Sequence, residues 1–209
     1  LLQTRALIPE ETPVILDCKI GDISTTMEPY ARAYLDLADF DAITVNPYMG
    51  SDCLAPVFDR AGKGVFLLSK TSNPGSGEIQ NLELANGQPL FAEIAARVAE
   101  WNETTAATLG LVVGATYPAE LIKVREVAPH LLILVPGIGS QAGDLAAAID
   151  AGIDDTGAGL LINSARSITY ASSNDDFAQA SAKAARTLRD QINAIRGQAH
   201  DKILGAPAG

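Results

Sequence analysis

Apolar residues in this chain are grouped into short continuous runs separated by longer mixed segments. Six such runs, most of them containing valine or isoleucine, recur along the sequence. They occupy residues 14–19, 42–46, 64–69, 109–115, 131–135 and 159–163. Continuous apolar runs of this length are typical of strands that are buried on both faces of a parallel sheet.

The segments that follow these runs have a helical pattern. Their apolar residues lie three and four positions apart, which predicts amphipathic helices. The predicted helices occupy residues 27–38, 52–60, 89–104, 118–127, 142–151 and about 175–195. Residues 1–8 are expected to be the end of a helix stopped by Pro9, and residues 198–209 a frayed tail.

A regular succession of strands and helices predicts an α/β fold, with residues 1–209 forming a single domain. Two architectures have this pattern, a doubly wound open sheet and a (β/α)8 TIM barrel. A barrel normally takes about 250 residues. Six units in 209 residues therefore favour a barrel of which this chain holds strands 3–8 and lacks the N-terminal part.

Composition narrows the classes of partner. A net charge of −10 argues against nucleic-acid binding. No apolar run approaches the roughly 18 residues that span a membrane, and the start has no signal-peptide pattern. Cys18 and Cys53 are expected to be free thiols in a reducing cytoplasm, with a disulfide as the alternative. The histidines and cysteines lack metal-site spacing, so no metal is predicted, although Mg²⁺ bound by carboxylates stays open.

Charged residues are concentrated at the end of the first run. Asp17 and Lys19 are two positions apart, so their side chains should point to the same side of a strand. Asp22 follows Gly21, where the chain is expected to have turned. Such a group predicts either a catalytic site or a structural ion pair at the sheet's edge.

Two later loops have the composition of a phosphate site. Gly137 and Gly139 let backbone N–H groups approach an anion, Gln141 adds an amide, and Arg166 adds a forked cation. If two strands precede this chain, these loops follow strands seven and eight, where barrels commonly bind phosphate. Each loop alone is better explained as a simple turn or a surface charge, whereas the two adjacent loops together favour phosphate binding. Ser72, after the third run, is a candidate for hydrogen bonding to a polar ring, and a cap for the turn at Asn73-Pro74 explains it equally well.

Four motifs together resemble orotidine 5′-phosphate decarboxylase, in its longer bacterial branch. They are L-D-C-K-I-G-D-I at 16–23, T-S-N-P-G at 71–75, P-G-I-G-S-Q at 136–141 and N-S-A-R at 163–166. The first motif is shared with sugar-phosphate enzymes of the same barrel superfamily, whereas the second and third favour the orotidylate enzyme. The resemblance covers nearly the whole chain.

The resemblance implies decarboxylation of orotidine 5′-phosphate to uridine 5′-phosphate in pyrimidine biosynthesis, without metal or cofactor. Lys19 would protonate C6, and Asp17 would lie against the substrate carboxylate. Asp22 would complete the catalytic set from the neighbouring subunit of a homodimer. The implied substrate-binding residues are Ile23, Thr26, Ser72, Pro136, Gly137, Gly139, Gln141, Ala165 and Arg166.

One departure from the family is expected to matter. The family's second catalytic lysine and its ribose-binding aspartate come from the first two strands, and nothing before Val14 supplies them. Two alternative functions therefore remain. One is a magnesium-dependent sugar-phosphate decarboxylase or aldolase of the same superfamily, and the other is a non-catalytic phosphate-binding homologue.

Overall fold

A computed structural model describes residues 1–138 and 144–205, with side chains described as far as residue 200. Within that part, six parallel strands form one sheet in chain order. They are β1 Ile15–Ile20, β2 Ala42–Val45, β3 Gly64–Lys70, β4 Thr108–Val113, β5 Leu132–Val135 and β6 Leu160–Ile162. Each strand pairs with the next one along the chain, as consecutive β-α units do.

Helices connect the strands and cover one face of the sheet. They are α1 Leu2–Arg5, α2 Ser24–Ala31, α3 Ser51–Phe58, α4 Gly77–Gln80, α5 Leu90–Asn102, α6 Pro118–Val127, α7 Leu145–Gly152, α8 Arg166–Thr169 and α9 Phe177–Gly205. Helix α2 continues into a π-helical turn, Arg32–Leu37. Asp144 begins α7 because its carboxylate accepts hydrogen bonds from two backbone N–H groups of the first turn.

The sheet has two apolar faces. The larger core lies between the sheet and the helices and includes Ile43 and Leu111. A smaller cluster on the opposite face, the interior of the barrel, is built around Phe66 and Val112. Gly110 allows the Phe66 ring to pack there, because a Cβ at Gly110 would lie 2.7 Å from that ring.

Burial along the sheet differs between central and edge strands. All four residues of β2 are buried, as predicted for a parallel strand covered on both sides. In β1 and β6 no residue is fully buried, and Leu161 is exposed. The expectation of burial on both faces is therefore wrong for these two strands, because within the described residues each has a paired neighbour on one side only.

The structure also changes the predicted ends of several helices. Residues 198–205, expected to belong to a frayed tail, continue α9, and Ala199 is buried there against Ile149 and Ile153. The loop predicted after β3 contains a 3₁₀ turn, Pro74–Ser76, followed by α4. Among the described residues, no helix combines the length and the apolar character needed to traverse a bilayer.

Candidate active site

The candidate residues predicted from the sequence lie in the carboxyl-terminal part of β1 or follow the carboxyl ends of β1, β3, β5 and β6. In a parallel sheet these ends meet at one edge, which is where barrel enzymes carry their active sites. Residues this distant in sequence are therefore expected to meet at this edge. Two features lie at this edge. One is a charged group on β1, and the other is a cavity between the loops that follow β3, β5 and β6.

The charged group is held by an irregularity in β1. Leu16 pairs with Ile43 and Ile20 pairs with Val45, so four steps along β1 correspond to two along β2. The extra length forms a bulge that contains Asp17 and Lys19. Lys19 has a φ of +48°, in the left-handed region that a residue with a Cβ seldom adopts. Strain of this kind is common at functional sites.

Asp17 and Lys19 form an ion pair, with Lys19 Nζ 2.5 Å from Asp17 Oδ1. This agrees with the side-by-side placement predicted from their spacing, although the strand is bulged and not regular. The side chains are 59% and 47% exposed, respectively. An ion pair this exposed contributes about 0–1 kcal/mol to stability. Stability alone therefore gives no reason for the pair or for the strained backbone that carries it.

Asp22 lies apart from this ion pair within the chain. Its Oδ1 accepts a hydrogen bond from the Ile23 N–H at 2.8 Å, just before α2 begins. Among the described residues the ammonium of Lys19 is paired with Asp17 and not with Asp22. Ile23 is 51% exposed, and Thr26 is half-buried in the first turn of α2. Within the described residues, none of the three forms an ion pair or a side-chain hydrogen bond with Asp17 or Lys19.

A cavity of about 130 Å³ brings together residues from three loops. It is lined by Ser72, Pro136, Gly137, Ile138, Asn163, Ala165 and Arg166. Five of these were predicted as substrate-binding residues from the sequence; Ile138 and Asn163 were not. Gly137 has a φ of +100°, a conformation for which glycine is suited. Gly139 and Gln141, which were also predicted to bind substrate, lie outside the described residues.

The loop that carries Ser72 is anchored by a buried lysine that sequence reasoning left without a role. Lys70 is 1% exposed and donates hydrogen bonds to Ser76 Oγ at 3.0 Å and Asn81 Oδ1 at 2.9 Å. Its ammonium also lies 4.6 Å from the centre of the Tyr117 ring. A buried cation must be paired or hydrogen-bonded to be tolerated, so Lys70 draws the loop inward.

Gly114, after β4, sets how closely that loop approaches. A Cβ at this position would lie 2.8 Å from Ser72 Cβ and 2.9 Å from Ser72 Cα. Any side chain at Gly114 would thus displace Ser72 from the cavity. The sequence shows the glycine. It does not show the contact with Ser72, because the two residues follow different strands.

The cysteines and the carboxylates give little indication of a cofactor. Cys18 and Cys53 are both free, Cys53 buried and Cys18 half-buried beside the ion pair. Burial raises the pKa of the Cys18 thiol, which keeps it protonated at neutral pH. In residues 1–138 and 144–200, no His, Cys, Asp or Glu side chains are grouped as they would be around a metal ion.

The fold and the site together define a class: a partial (β/α) barrel with its charged and anion-binding residues at the carboxyl ends of the strands. Residues 3–182 match the model of the orotidine 5′-phosphate decarboxylase / HUMPS family. The chain belongs to that family, as the sequence motifs predicted.

Curated relatives agree with this assignment. The chain is 49% identical over 197 residues to the orotidine 5′-phosphate decarboxylase of Thermomicrobium roseum, covering 94% of this chain and 70% of that protein. It is 47% identical over 194 residues to the enzyme of Bordetella pertussis, covering 92% and 70%. The chain thus spans about 70% of the length of these relatives.

Solved structures confirm the barrel. The UMP synthase of Leishmania donovani aligns with a TM-score of 0.84 and 42% identity, over 93% of this chain and 42% of that one. The OMP decarboxylase of the same organism aligns with a TM-score of 0.82 and 40% identity, over 93% and 73%. The described sheet therefore corresponds to part of a TIM barrel, as predicted.

Proposed function

We propose that this chain carries the decarboxylating site of an orotidine 5′-phosphate decarboxylase, a carboxy-lyase that forms uridine 5′-phosphate and CO₂ in pyrimidine biosynthesis. The observation that carries this proposal is the Asp17–Lys19 ion pair held in a strained bulge at the sheet edge that also bears the Ser72 and Arg166 cavity. The names of the relatives favour this reaction over the sugar-phosphate alternative.

The reaction needs a cation where the leaving CO₂ deposits an electron pair. When the bond between C6 and the carboxylate breaks, that pair stays on C6 as a carbanion. The ammonium of Lys19 stabilises the developing charge and then donates a proton to C6, so that one proton is consumed for each CO₂ released. Asp17 holds the ammonium in place. Because it is an anion, it also repels the substrate carboxylate, and this repulsion is relieved when CO₂ leaves.

The cavity between the loops supports binding of the rest of the nucleotide. Arg166 is exposed at its rim, and in the described part of the chain its guanidinium forms no ion pair, which leaves it available for a phosphate. Gly137 lets backbone N–H groups approach the same anion, and Gln141 is proposed to add a donor. Ser72 is proposed to hydrogen-bond to the pyrimidine. Binding energy from the phosphate then holds C6 against Lys19.

We also infer a homodimer in which Asp22, Ile23 and Thr26 serve the neighbouring subunit. Two features support this: within the described residues Asp22 forms no ion pair with Lys19 of its own chain, and the apolar side chain of Ile23 is half-exposed beside it. A second carboxylate from the partner would flank the Lys19 ammonium. A cytoplasmic location is proposed as well, in keeping with the free thiols of Cys18 and Cys53.

The central test is a kinetic comparison of wild type with Lys19→Ala. Protein of the relatives' length is used, with residues 1–209 assayed alongside, and loss of orotidylate absorbance is followed. Removal of the general acid and its charge should lower kcat at least about 10³-fold. Lys123→Ala, an exposed lysine on α6, is the control and should keep wild-type activity. A Lys19→Ala variant as fast as wild type contradicts the proposal, and inhibition by EDTA would favour the magnesium-dependent alternative.

Two further measurements separate the proposed roles. Arg166→Met should weaken binding of uridine 5′-phosphate at least about tenfold and leave uridine unaffected, because only the phosphate contact is lost. Mixing inactive Lys19→Ala and Asp22→Ala subunits should restore about a quarter of wild-type activity, since half of the dimers then hold one intact shared site. No recovery in the mixture would contradict the shared site.

A further inference from the structure

Thr44, in the middle of β2, contacts both members of the ion pair through one hydroxyl. Its Oγ1 donates a hydrogen bond to Asp17 Oδ1 at 2.9 Å. The same oxygen accepts a hydrogen bond from the backbone N–H of Lys19, also at 2.9 Å. Thr44 is 0% exposed, so both bonds originate from a rigid part of the sheet.

The bulge explains why Lys19 needs this partner. In a regular strand, only alternate residues direct their backbone groups toward a given neighbouring strand. The carbonyls of Val14 and Ile20 bond toward β2, so in an unbulged β1 the N–H of Lys19 would face away from β2. The bulge and the left-handed conformation of Lys19 turn this N–H toward the Thr44 side chain instead. Without the hydroxyl, the N–H group would lose this partner at the most strained position of β1.

Packing alone does not account for a hydroxyl at this position. The other residues of β2 are Ala42, Ile43 and Val45, all buried and apolar. A valine has nearly the shape of threonine and an equally high preference for strands. The hydroxyl of Thr44 therefore serves its two partners on β1 and not the core.

Positioning matters here because the reactive side chains are loosely packed. Asp17 and Lys19 are about half-exposed, so few neighbours restrict their rotamers. Asp17 Oδ1 is held from two directions, by Lys19 Nζ and by the buried Thr44 hydroxyl. The hydroxyl thus connects the exposed ion pair to the rigid sheet, as outer contacts orient the reacting groups in other sites.

We propose that Thr44 is a positioning residue for the decarboxylation, one that fixes the Asp17 carboxylate and the Lys19 backbone so that the ammonium points at C6. The inference rests on the proposed function. It predicts an effect on the transition state and little effect on substrate binding, because Thr44 contacts the catalytic pair and does not line the loop cavity.

The test compares Thr44→Val, Thr44→Ser and Thr44→Ala with wild type. Thr44→Val should lower kcat about 10- to 100-fold with KM changed less than about threefold, whereas Thr44→Ser keeps the hydroxyl and should recover most of the loss. Thr108→Val, at the amino end of β4, is the matched control and should behave as wild type. If Thr44→Val fails to fold, the Ala and Ser variants make the same comparison.

A binding measurement distinguishes positioning from general loosening. A uridine 5′-phosphate analogue with an anionic oxygen at C6 mimics the charge of the carbanion, and uridine 5′-phosphate itself does not. Calorimetry should show that Thr44→Val weakens binding of the analogue about as much as it lowers kcat, with the affinity for uridine 5′-phosphate unchanged. Equal loss for both ligands, or no loss of kcat, would overturn the role of Thr44 in an active enzyme. A wild type without turnover would overturn both proposals.

Discussion

Replacing Arg125 with methionine should destabilise the protein at the end of the barrel opposite the proposed site. Arg125 lies near the end of α6, and burial lowers the pKa of its guanidinium, although it remains charged. Among the described residues it donates hydrogen bonds to five backbone carbonyls, those of Ala128, Pro129, Leu131, Gly152 and Gly159. These carbonyls precede β5 and β6 or end α7, so one side chain joins three segments at the amino ends of the strands.

The size of the effect follows from which carbonyls lose their only donor. The carbonyls of Ala128 and Gly159 also accept a backbone N–H, so they keep a partner without the guanidinium. Within the described residues, Gly152 and Leu131 depend on Arg125 at 2.8 Å each, in half-buried positions. A buried group left without a partner costs about 1–3 kcal/mol. We therefore expect Arg125→Met to lower the free energy of unfolding by about 3 kcal/mol, or the Tm by about 6–12 °C for a chain of this size.

Urea unfolding and thermal scans would measure this difference. Arg189→Met is the matched control, because Arg189 is exposed and bonds to its neighbour Asp190 on the surface of α9. It should change stability by less than about 0.5 kcal/mol. Arg125→Lys should recover part of the loss, since an ammonium has fewer donors. If Arg125→Met were as stable as the control, the carbonyl cluster would contribute nothing and the reasoning would be refuted.

Three other predictions concern local geometry and charge. Gly114→Ala should weaken uridine 5′-phosphate binding about tenfold, because its Cβ would displace Ser72; calorimetry with unchanged affinity would contradict this. Hydrogen bonds from Arg60 lower the pKa of the Glu28 carboxyl, so its contribution is present above about pH 4.3 and lost as pH falls. Stability of Glu28→Gln should therefore decrease less than that of wild type between about pH 6 and pH 3 in urea titrations. Lys19→Gly should be more stable than Lys19→Ala by about 1 kcal/mol, the reverse of the usual order, because glycine accepts a φ of +48°.

The order and type of the strands could be predicted because the signal is local. A buried parallel strand needs a continuous apolar run, and β2 through β5 begin within one residue of their predicted starts. The burial of β1 and β6 could not be predicted from the same signal. Whether an apolar residue such as Leu161 is covered depends on a neighbouring strand, which its own segment does not encode.

The site was predictable where its residues belong to one segment. The spacing of Asp17 and Lys19 correctly indicates that their side chains meet. The glycine at position 137 indicates a turn, and the structure shows a positive φ there. Thr44 was missed because its partners lie on another strand, and Lys70 because its burial among side chains of the following loop and Tyr117 has no sequence signal. A threonine in a β-branched run and a lysine at a strand end are unremarkable until the fold brings their partners close.

Stability and chemistry lie at opposite ends of this sheet, and that separation explains how the strain at Lys19 is tolerated. A left-handed residue other than glycine costs about 1–3 kcal/mol, and the exposed ion pair with Asp17 offsets at most about 1 kcal/mol of it. The remainder must come from elsewhere, and the carbonyl cluster around Arg125 is large enough to supply it. Apart from Lys19 itself, substitutions at the carboxyl ends should therefore alter turnover more than stability, whereas substitutions at the amino ends should do the reverse.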